Sequence, residues 1–275
     1  MTPHFGIIVI GDEILSGKRA DKHLPKIIEL LAARGLPLAY AEYVGDDPKR
    51  ITATLARAFA AARGSGDVVF STGGIGATPD DHTRQCAARA LGVDLALHPE
   101  AKRLIEERIR DTAKEQGAVF EPDRHDNLHR LNMGVFPVGA EIIPNTYNKI
   151  PGFSCQAGQG ALHFVPGFPV MAWPMVEWVL DQRYAHLHQK SALIEKSVIV
   201  MGSMEATLTP LMLAIEAEHP GVKVFSLPSV DHPEFGRHIE LGVKGAVDAV
   251  SLAYPALLSG LHQFNLQLGP ELVRQ

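Results

Sequence analysis

Residues Val68–Asp81 read VVFSTGGIGATPDD. The segment starts with three apolar residues, which predict a short buried strand, and it breaks at a turn with three glycines among the four residues of 73–76. Glycine adopts a positive φ without strain and lets backbone N–H groups come close to a ligand. Apolar residues at helical spacing follow and end at Gly92, so we predict a strand, a glycine turn and a helix with acidic residues in its first turn.

This pattern has two interpretations. In an open α/β sheet, a glycine turn at the carboxyl end of a strand is where phosphorylated ligands bind. The alternative is a tight turn that leads into a helix capped by an acidic residue, which is a purely structural arrangement.

The residues before this stretch alternate between strand and helix patterns. FGIIVI at 5–10 is almost wholly apolar, which is typical of a strand that is covered on both faces. A helix pattern covers 21–34, a strand pattern covers 36–44, and a second helix pattern opens at Asp47-Pro48. The order β-α-β-α-β-turn-α predicts a parallel sheet with helices on both faces. No GxGxxG motif follows Ile10, which disfavours an NAD-dependent dehydrogenase.

Acidic residues follow each of the three predicted strands, at Asp12-Glu13, Asp46-Asp47 and Asp80-Asp81. Because parallel strands end at the same edge of a sheet, we expect the three loops to converge there. Mg²⁺ or another divalent cation between carboxylate and phosphate oxygens would relieve their repulsion. Helix capping explains Asp47 and Asp80 equally well, whereas Asp12, Asp46 and Asp81 flank the caps, which favours a functional role for them.

These motifs together resemble a known family. GDEIL at 11–15, VGDD at 44–47 and TGGIG at 72–76 with its two following aspartates look like the MoaB/Mog-type molybdopterin-binding domain. They look in particular like its form in competence/damage-inducible protein A and in the N-terminal domain of eukaryotic FAD synthases. The resemblance implies an α/β fold of three layers, a mostly parallel sheet with helices on both faces. Two positions depart from the family pattern, because Asp12 stands where many members have threonine and Ala77 where proline is common.

The resemblance also implies which residues form the site. The family's functional acids follow the second strand and the glycine turn, so Asp46 and Asp81 are expected to be catalytic. A metal is expected on Asp46, Asp80 and Asp81, and the cofactor is expected to be Mg²⁺ or a similar divalent cation, with molybdopterin as a candidate ligand. The residues expected to bind the ligand are Gly11, Asp12, Glu13, Thr72, Gly73, Gly74, Gly76, Asn145, Pro166 and Gly167.

Two domains are expected, a molybdopterin-binding-like α/β domain at 1–188 and a small α+β domain at 189–275. Strand and helix patterns after residue 191 follow the order β-α-β-β-α, which resembles the KH-like middle domain of the competence-protein family. No GxxG loop occurs there in a basic setting, so RNA binding is not inferred. We expect a short form of the family without its C-terminal deamidase domain.

Composition narrows the classes of partner. The net charge is −5 and no basic block occurs, which argues against nucleic acid. No apolar run reaches about 18 residues, and the N-terminus has no pattern of a signal peptide, so we expect no membrane association. Cys86 and Cys155 form no CxxC pair and fit a reducing cytoplasm. The expected partner is a small phosphorylated molecule, and a homo-oligomer is expected.

Two functions stay open at this point. The resemblance implies either a divalent-metal-dependent pyrophosphatase that acts on ADP-ribose-like or FAD-like dinucleotides, or a non-catalytic molybdopterin-binding protein linked to molybdenum cofactor biosynthesis. Both functions use the same pocket, so the motifs do not separate them. The second domain favours the enzyme, because simple pterin-binding proteins of the family usually lack it.

Overall fold

The computed structural model describes residues 3–188 and 193–274. Contacts between Cα atoms divide the chain into two compact units, residues 1–188 and 189–275. The helices and strands of the first unit are β1 (Phe5–Ile10), α1 (Asp12–Leu15), α2 (His23–Ala32), β2 (Leu38–Val44), α3 (Pro48–Ser65), β3 (Val68–Thr72), α4 (Thr83–Leu91), β4 (Leu95–Leu97), α5 (Pro99–Glu115), α6 (His125–Leu131), β5 (Val135–Pro137), β6 (Glu141–Ile143), β7 (Gly152–Ala157), β8 (Gly160–Val165) and α7 (Pro169–Arg183).

Six of these strands form one sheet in the order β2-β1-β3-β8-β7-β6. Strands β2, β1, β3 and β8 run parallel, whereas β7 is antiparallel to both of its neighbours. The segments that follow the four parallel strands therefore lie along one edge of the sheet, which we call the rim. The mostly parallel sheet predicted from the sequence is confirmed.

Both faces of this sheet are covered by helices. All six residues of β1 are buried, and its residues from Ile7 to Ile10 alternate between two hydrophobic clusters. Ile8 lies in the cluster that includes Leu55 of α3, and Ile7 lies in the cluster that includes Val176 of α7. A strand that is apolar on both faces is covered by helices on both sides of the sheet in a three-layer α/β fold, as the sequence of β1 predicts.

The two aspartates that follow the glycine turn lie outside the helix, which corrects the sequence prediction. Helix α4 begins at Thr83 and has no acidic residue in its first turn. The Asp81 carboxylate instead accepts hydrogen bonds from the Thr78 backbone N–H (2.7 Å) and the Thr78 hydroxyl (2.5 Å), which closes a local loop before the helix. The capping alternative is therefore wrong for Asp80 and correct for Asp47, whose Oδ1 accepts from the Arg50 N–H at 2.8 Å.

The second unit is a four-stranded antiparallel sheet with two helices. The elements are β9 (Leu193–Met201), α8 (Glu205–Glu218), β10 (Lys223–His232), β11 (Gly236–Ala246), α9 (Val247–His262) and β12 (Gln267–Arg274). The sheet order is β10-β11-β9-β12, and α8 and α9 contribute Leu208 and Leu257 to the hydrophobic core.

Strand β12 was not predicted from the sequence. Gly269-Pro270 interrupts its apolar pattern, and the pairing of β12 with β9 is irregular between Leu268 and Glu271, where the strand accommodates this dipeptide. Among the described residues, no helix combines the length and the apolar character that a membrane crossing needs.

Candidate functional site

A pair of carboxylates bridges the ends of β1 and β2 at the rim. The Asp12 N–H donates to Asp46 Oδ2 at 2.9 Å, and the Asp46 N–H donates to Asp12 Oδ1 at 3.1 Å. Gly45 permits this approach, because a Cβ at that position would collide with Asp12 Oδ1. Each carboxylate uses one oxygen in this exchange, which leaves the other oxygen available to a ligand or a cation.

Asp46 lies in a strongly negative environment. Burial raises the pKa of its carboxyl, the charges of Asp12, Glu13 and Asp80 raise it further, and the hydrogen bond from the Asp12 N–H opposes them. Carboxylates from all three loops, Asp12 and Glu13 of the first and Asp80 of the third, therefore act on Asp46 of the second. A bound cation would relieve this repulsion.

The glycine turn presents backbone donors, and its one side chain, that of Ile75, is buried in the core. Gly73 and Gly74 have φ values of +94° and +67°. A Cβ at Gly73 would collide with the Ile10 carbonyl, and a Cβ at Gly74 would collide with Thr83 Oγ1, so the substituent side of both residues faces the protein. Within the described part of the chain, the N–H groups of residues 74–76 donate to no protein acceptor. Such a row of unpaired N–H groups suits a phosphate.

The first residues of helix α4 donate hydrogen bonds to the carbonyl groups of this turn. Thr83 is fully buried, and its N–H donates to the Gly74 carbonyl (3.0 Å) while its hydroxyl donates to the Gly73 carbonyl (3.1 Å). Arg84 is only 4% exposed and donates from Nη1 to the Ile75 carbonyl. Burial lowers the pKa of Arg84, the charge of Asp81 opposes this, and no carboxylate lies within ion-pair distance of it among the described residues.

Sequence reasoning missed Arg84. Its signal was present, because Arg84 is three residues before the buried Ala87 and so lies on the buried face of α4. A charged residue at such a position is expected to have a specific partner, and here that partner is the glycine turn.

Thr72 opens onto a cavity of about 320 Å³ beside the turn. Thr72 is 1% exposed, and its hydroxyl has no hydrogen-bond partner among the described residues. The cavity is lined by residues from β1, from the segment after it and from the start of α7; its polar lining includes Glu13, Arg19, Lys22, His23 and Gly167. The predicted binders Glu13, Thr72 and Gly167 therefore share one cavity, whereas Arg19, Lys22 and His23 were missed.

The sequence signal for these missed residues lies between Lys18 and His23. Four of those six residues are basic or histidine, in a chain with a net charge of −5, and they directly follow an acidic loop of the rim. His23 is buried, and its Nε2 lies 3.0 Å from the Gly167 carbonyl, so it ties α2 to the turn after β8.

The structure does not bring Asn145 to the glycine turn. Strands β8 and β7 separate β6, which Asn145 follows, from β3. Its amide donates to Asn148 Oδ1 (2.8 Å) and to the Ile150 carbonyl (2.9 Å), and its Oδ1 accepts from the Tyr147 N–H (3.0 Å). The side chain thus organises its own turn, and its role toward a ligand stays a prediction.

Asp81 lies against the glycine turn. A Cβ at Gly76 would be 2.6 Å from Asp81 Oδ2, the same oxygen that accepts both hydrogen bonds from Thr78. Asp81 therefore also shapes the loop, whereas the sequence placed it beside a helix cap and favoured a functional role for it. Pro166 directly follows β8 at the rim, next to Gly167. The catalytic role of Asp81 stays a prediction.

The acidic residues of the rim fit a shared metal site rather than a closed one. Within residues 3–188 and 193–274, no three His, Cys, Asp or Glu side chains lie close enough to hold a metal by themselves. Mg²⁺ commonly binds one or two carboxylates together with substrate phosphates and water. The free oxygens of Asp12 and Asp46 match that donor set, and the metal on Asp46, Asp80 and Asp81 stays a prediction.

Comparison with known proteins follows the same division of the chain. Residues 6–186 match the model of a family described as "probable molybdopterin binding domain". A CinA-like protein of Anaeromyxobacter dehalogenans (strain 2CP-C) is 32% identical over 220 residues, which is 79% of this chain and 50% of that protein. The chain thus spans about half the length of the curated CinA-like relatives it matches.

Two further similarities extend this comparison. A protein of Pyrobaculum calidifontis is 27% identical over 252 residues, 88% of this chain and 91% of that protein. The solved structure of CinA from Thermoplasma acidophilum, a protein described as of unknown function, has a TM-score of 0.54 and 25% identity and covers 66% of this chain and 98% of that one. On the match of residues 6–186, the chain belongs to the family of probable molybdopterin binding domains, and its curated relatives include CinA-like proteins.

Proposed function

We propose that the rim binds the phosphate groups of an adenine-nucleotide or pterin ligand, and that it hydrolyses the diphosphate bond of ADP-ribose-like or FAD-like dinucleotides with a divalent cation. One observation carries this proposal. The N–H groups of residues 74–76, which have no protein acceptor among the described residues, follow β3, the strand next to β1. The Asp12–Asp46 carboxylate pair lies on the same rim, at the ends of β1 and β2. Phosphate donors and metal-binding carboxylates are the two parts that such a reaction needs.

In the proposed reaction, a water oxygen forms a bond to one phosphorus, and the bond from that phosphorus to the bridging oxygen breaks. ADP-ribose then gives AMP and ribose 5-phosphate. A cation on the rim carboxylates would polarise the diphosphate and lower the pKa of bound water. The glycine-turn N–H groups hold the charge of the departing phosphate. The free Oδ1 of Asp46 would help to hold this cation at the diphosphate.

A second candidate function is a non-catalytic molybdopterin-binding protein linked to molybdenum cofactor biosynthesis. The match of residues 6–186 to a family described as probable molybdopterin binding domain favours it. The pterin phosphate would use the same N–H groups of the glycine turn, and no bond would be cleaved.

Removal of divalent cations tests the metal in this proposal. We expect the protein to bind ADP-ribose tightly in Mg²⁺ and to release AMP, and we expect treatment with EDTA to weaken binding and stop turnover. Calorimetry measures the affinity, and chromatography of the products measures turnover. Affinity that is unchanged by EDTA would exclude a bridging metal, and binding of pterin phosphate without any dinucleotide cleavage would favour the second candidate.

A further inference from the structure

The cavity beside the glycine turn is lined in part by basic side chains to which the proposed function assigns no role. Arg19 and Lys22 line it, and neither side chain forms an ion pair or a hydrogen bond among the described residues. Among the described residues, Glu13 is the only carboxylate in its lining. Thr72 also lines the cavity, and its hydroxyl is buried and has no hydrogen-bond partner among the described residues. A buried hydroxyl without a hydrogen-bond partner lowers the stability of the folded protein unless a ligand or a water molecule bonds to it.

The segment that carries these cations is held in place by specific contacts. The Arg19 N–H donates to the Glu13 carbonyl at 3.0 Å. Asp21 accepts from the N–H groups of His23 (2.8 Å) and Leu24 (3.1 Å), and the Tyr43 hydroxyl donates to it at 2.8 Å. The basic side chains therefore project from a fixed loop, and their position at the cavity is part of the fold.

Negative and positive side chains lie at different parts of the rim. The Asp12–Asp46 pair lies at the ends of β1 and β2, whereas the cavity lies at the ends of β1, β3 and β8. The N–H groups of residues 74–76, which have no protein acceptor among the described residues, follow Thr72 at the end of β3. Gly167 lines the cavity and packs against the turn, because a Cβ at Gly167 would lie 3.5 Å from Gly73 Cα. The cavity therefore adjoins the turn, where a second phosphate linked to the first would lie.

We propose that this cavity is the subsite for a second phosphate, with Arg19, Lys22 and the Thr72 hydroxyl as its donors, so that the ligand class is a diphosphate rather than a phosphomonoester. This inference rests on the proposed function, because it assigns the first phosphate to the glycine turn. It names Arg19 and Lys22 as residues that determine specificity. Arginine and lysine are the side chains best suited to phosphate oxygens.

The test compares a monophosphate with a matched diphosphate that resists hydrolysis. Calorimetry in Mg²⁺ measures the affinities of the full chain for AMP and for α,β-methylene-ADP. The test variant is Arg19→Ala/Lys22→Ala. The control variant is Lys18→Ala/Lys49→Ala, which removes two exposed positive charges that do not line the cavity. Circular dichroism and thermal unfolding verify that both variants fold.

We expect the wild-type protein to prefer the diphosphate, and we expect the test variant to lose about tenfold or more in affinity for it, about 1.4 kcal/mol. Its affinity for AMP should change by about twofold or less, because screening weakens the action of exposed cations on the more distant phosphate. The control variant should keep the wild-type preference.

An unchanged ratio of the two affinities in the test variant would overturn the second-phosphate subsite and leave binding at the glycine turn intact. Equal losses for both ligands would also overturn it, because the cations would then act on the net charge alone. If neither nucleotide binds the wild-type protein in Mg²⁺, the proposed binding of adenine nucleotides fails, and the subsite fails with it.

Discussion

Gly74→Ala is expected to abolish binding of phosphate ligands at the rim and to lower the free energy of unfolding, and Gly74→Val is expected to do so at least as strongly. The φ of +67° at Gly74 is a left-handed conformation that costs about 1–3 kcal/mol for a residue with a side chain. A Cβ would also collide with Thr83 Oγ1, which is buried and hydrogen-bonded to the Gly73 carbonyl. The turn must therefore rearrange, which moves the N–H groups that the phosphate would accept from.

The structure changes the physical reason for this effect. From the sequence alone, a larger side chain at position 74 is expected to block the phosphate directly, so that the loss of binding grows with side-chain size. The Cβ of a substituted residue would instead point at Thr83, so alanine already distorts the turn. We expect the affinity for AMP to fall by about a hundredfold or more in both variants, about 2.7 kcal/mol.

Gly92→Ala is the matched control for backbone strain. Gly92 ends α4 with a φ of +72°, and a Cβ there would meet no atom within 4 Å. This variant should lose stability and keep wild-type affinity. Wild-type affinity in Gly74→Val would place the ligand elsewhere, and equal losses of affinity in Gly92→Ala would show that general destabilisation is the cause.

Asp46→Asn is expected to remove turnover and to leave the free energy of unfolding at pH 7 unchanged or higher. Asparagine keeps an oxygen that accepts from the Asp12 N–H and removes the negative charge. The Asp46 pKa is raised in the folded protein, so its contribution to stability is present below the unfolded pKa and is lost as the pH rises through the folded pKa. At pH 7 the ionised carboxylate therefore works against the fold, and its neutralisation does not destabilise the protein.

Asp47→Asn is the control for this prediction. It removes the same charge one residue away, and asparagine caps α3 as well as aspartate does. Steady-state rates of ADP-ribose hydrolysis and denaturant unfolding measure the two effects. Wild-type turnover in Asp46→Asn would exclude the carboxylate from the reaction, and a loss of more than about 2 kcal/mol in unfolding free energy would mark it as structural.

The parallel sheet and its rim could be predicted because their signals are local. The apolar run of β1, Asp47-Pro48 at the start of α3 and the glycines after β3 each specify one element, and the α/β alternation then fixes where the strands end. The convergence of Asp12 and Asp46 follows from this topology without knowledge of any side-chain contact.

The features that were missed depend on contacts between distant parts of the chain. The bond from Arg84 to the Ile75 carbonyl and the approach of His23 to the Gly167 carbonyl exist only in the folded protein. The position of Asp81 outside α4 depends on its two hydrogen bonds with Thr78, which compete with the helix pattern. Periodicity alone does not reveal such competition.

The central claim is that the backbone N–H groups of the glycine turn bind a phosphate of the ligand. The most direct measurement is a titration of the ¹⁵N-labelled protein with AMP in Mg²⁺, followed by the amide resonances of Gly74, Ile75 and Gly76. The account predicts that these resonances shift downfield and saturate together, while the amide of Gly92 stays in place. Saturable binding that leaves these three resonances unchanged and shifts those of another region would contradict it.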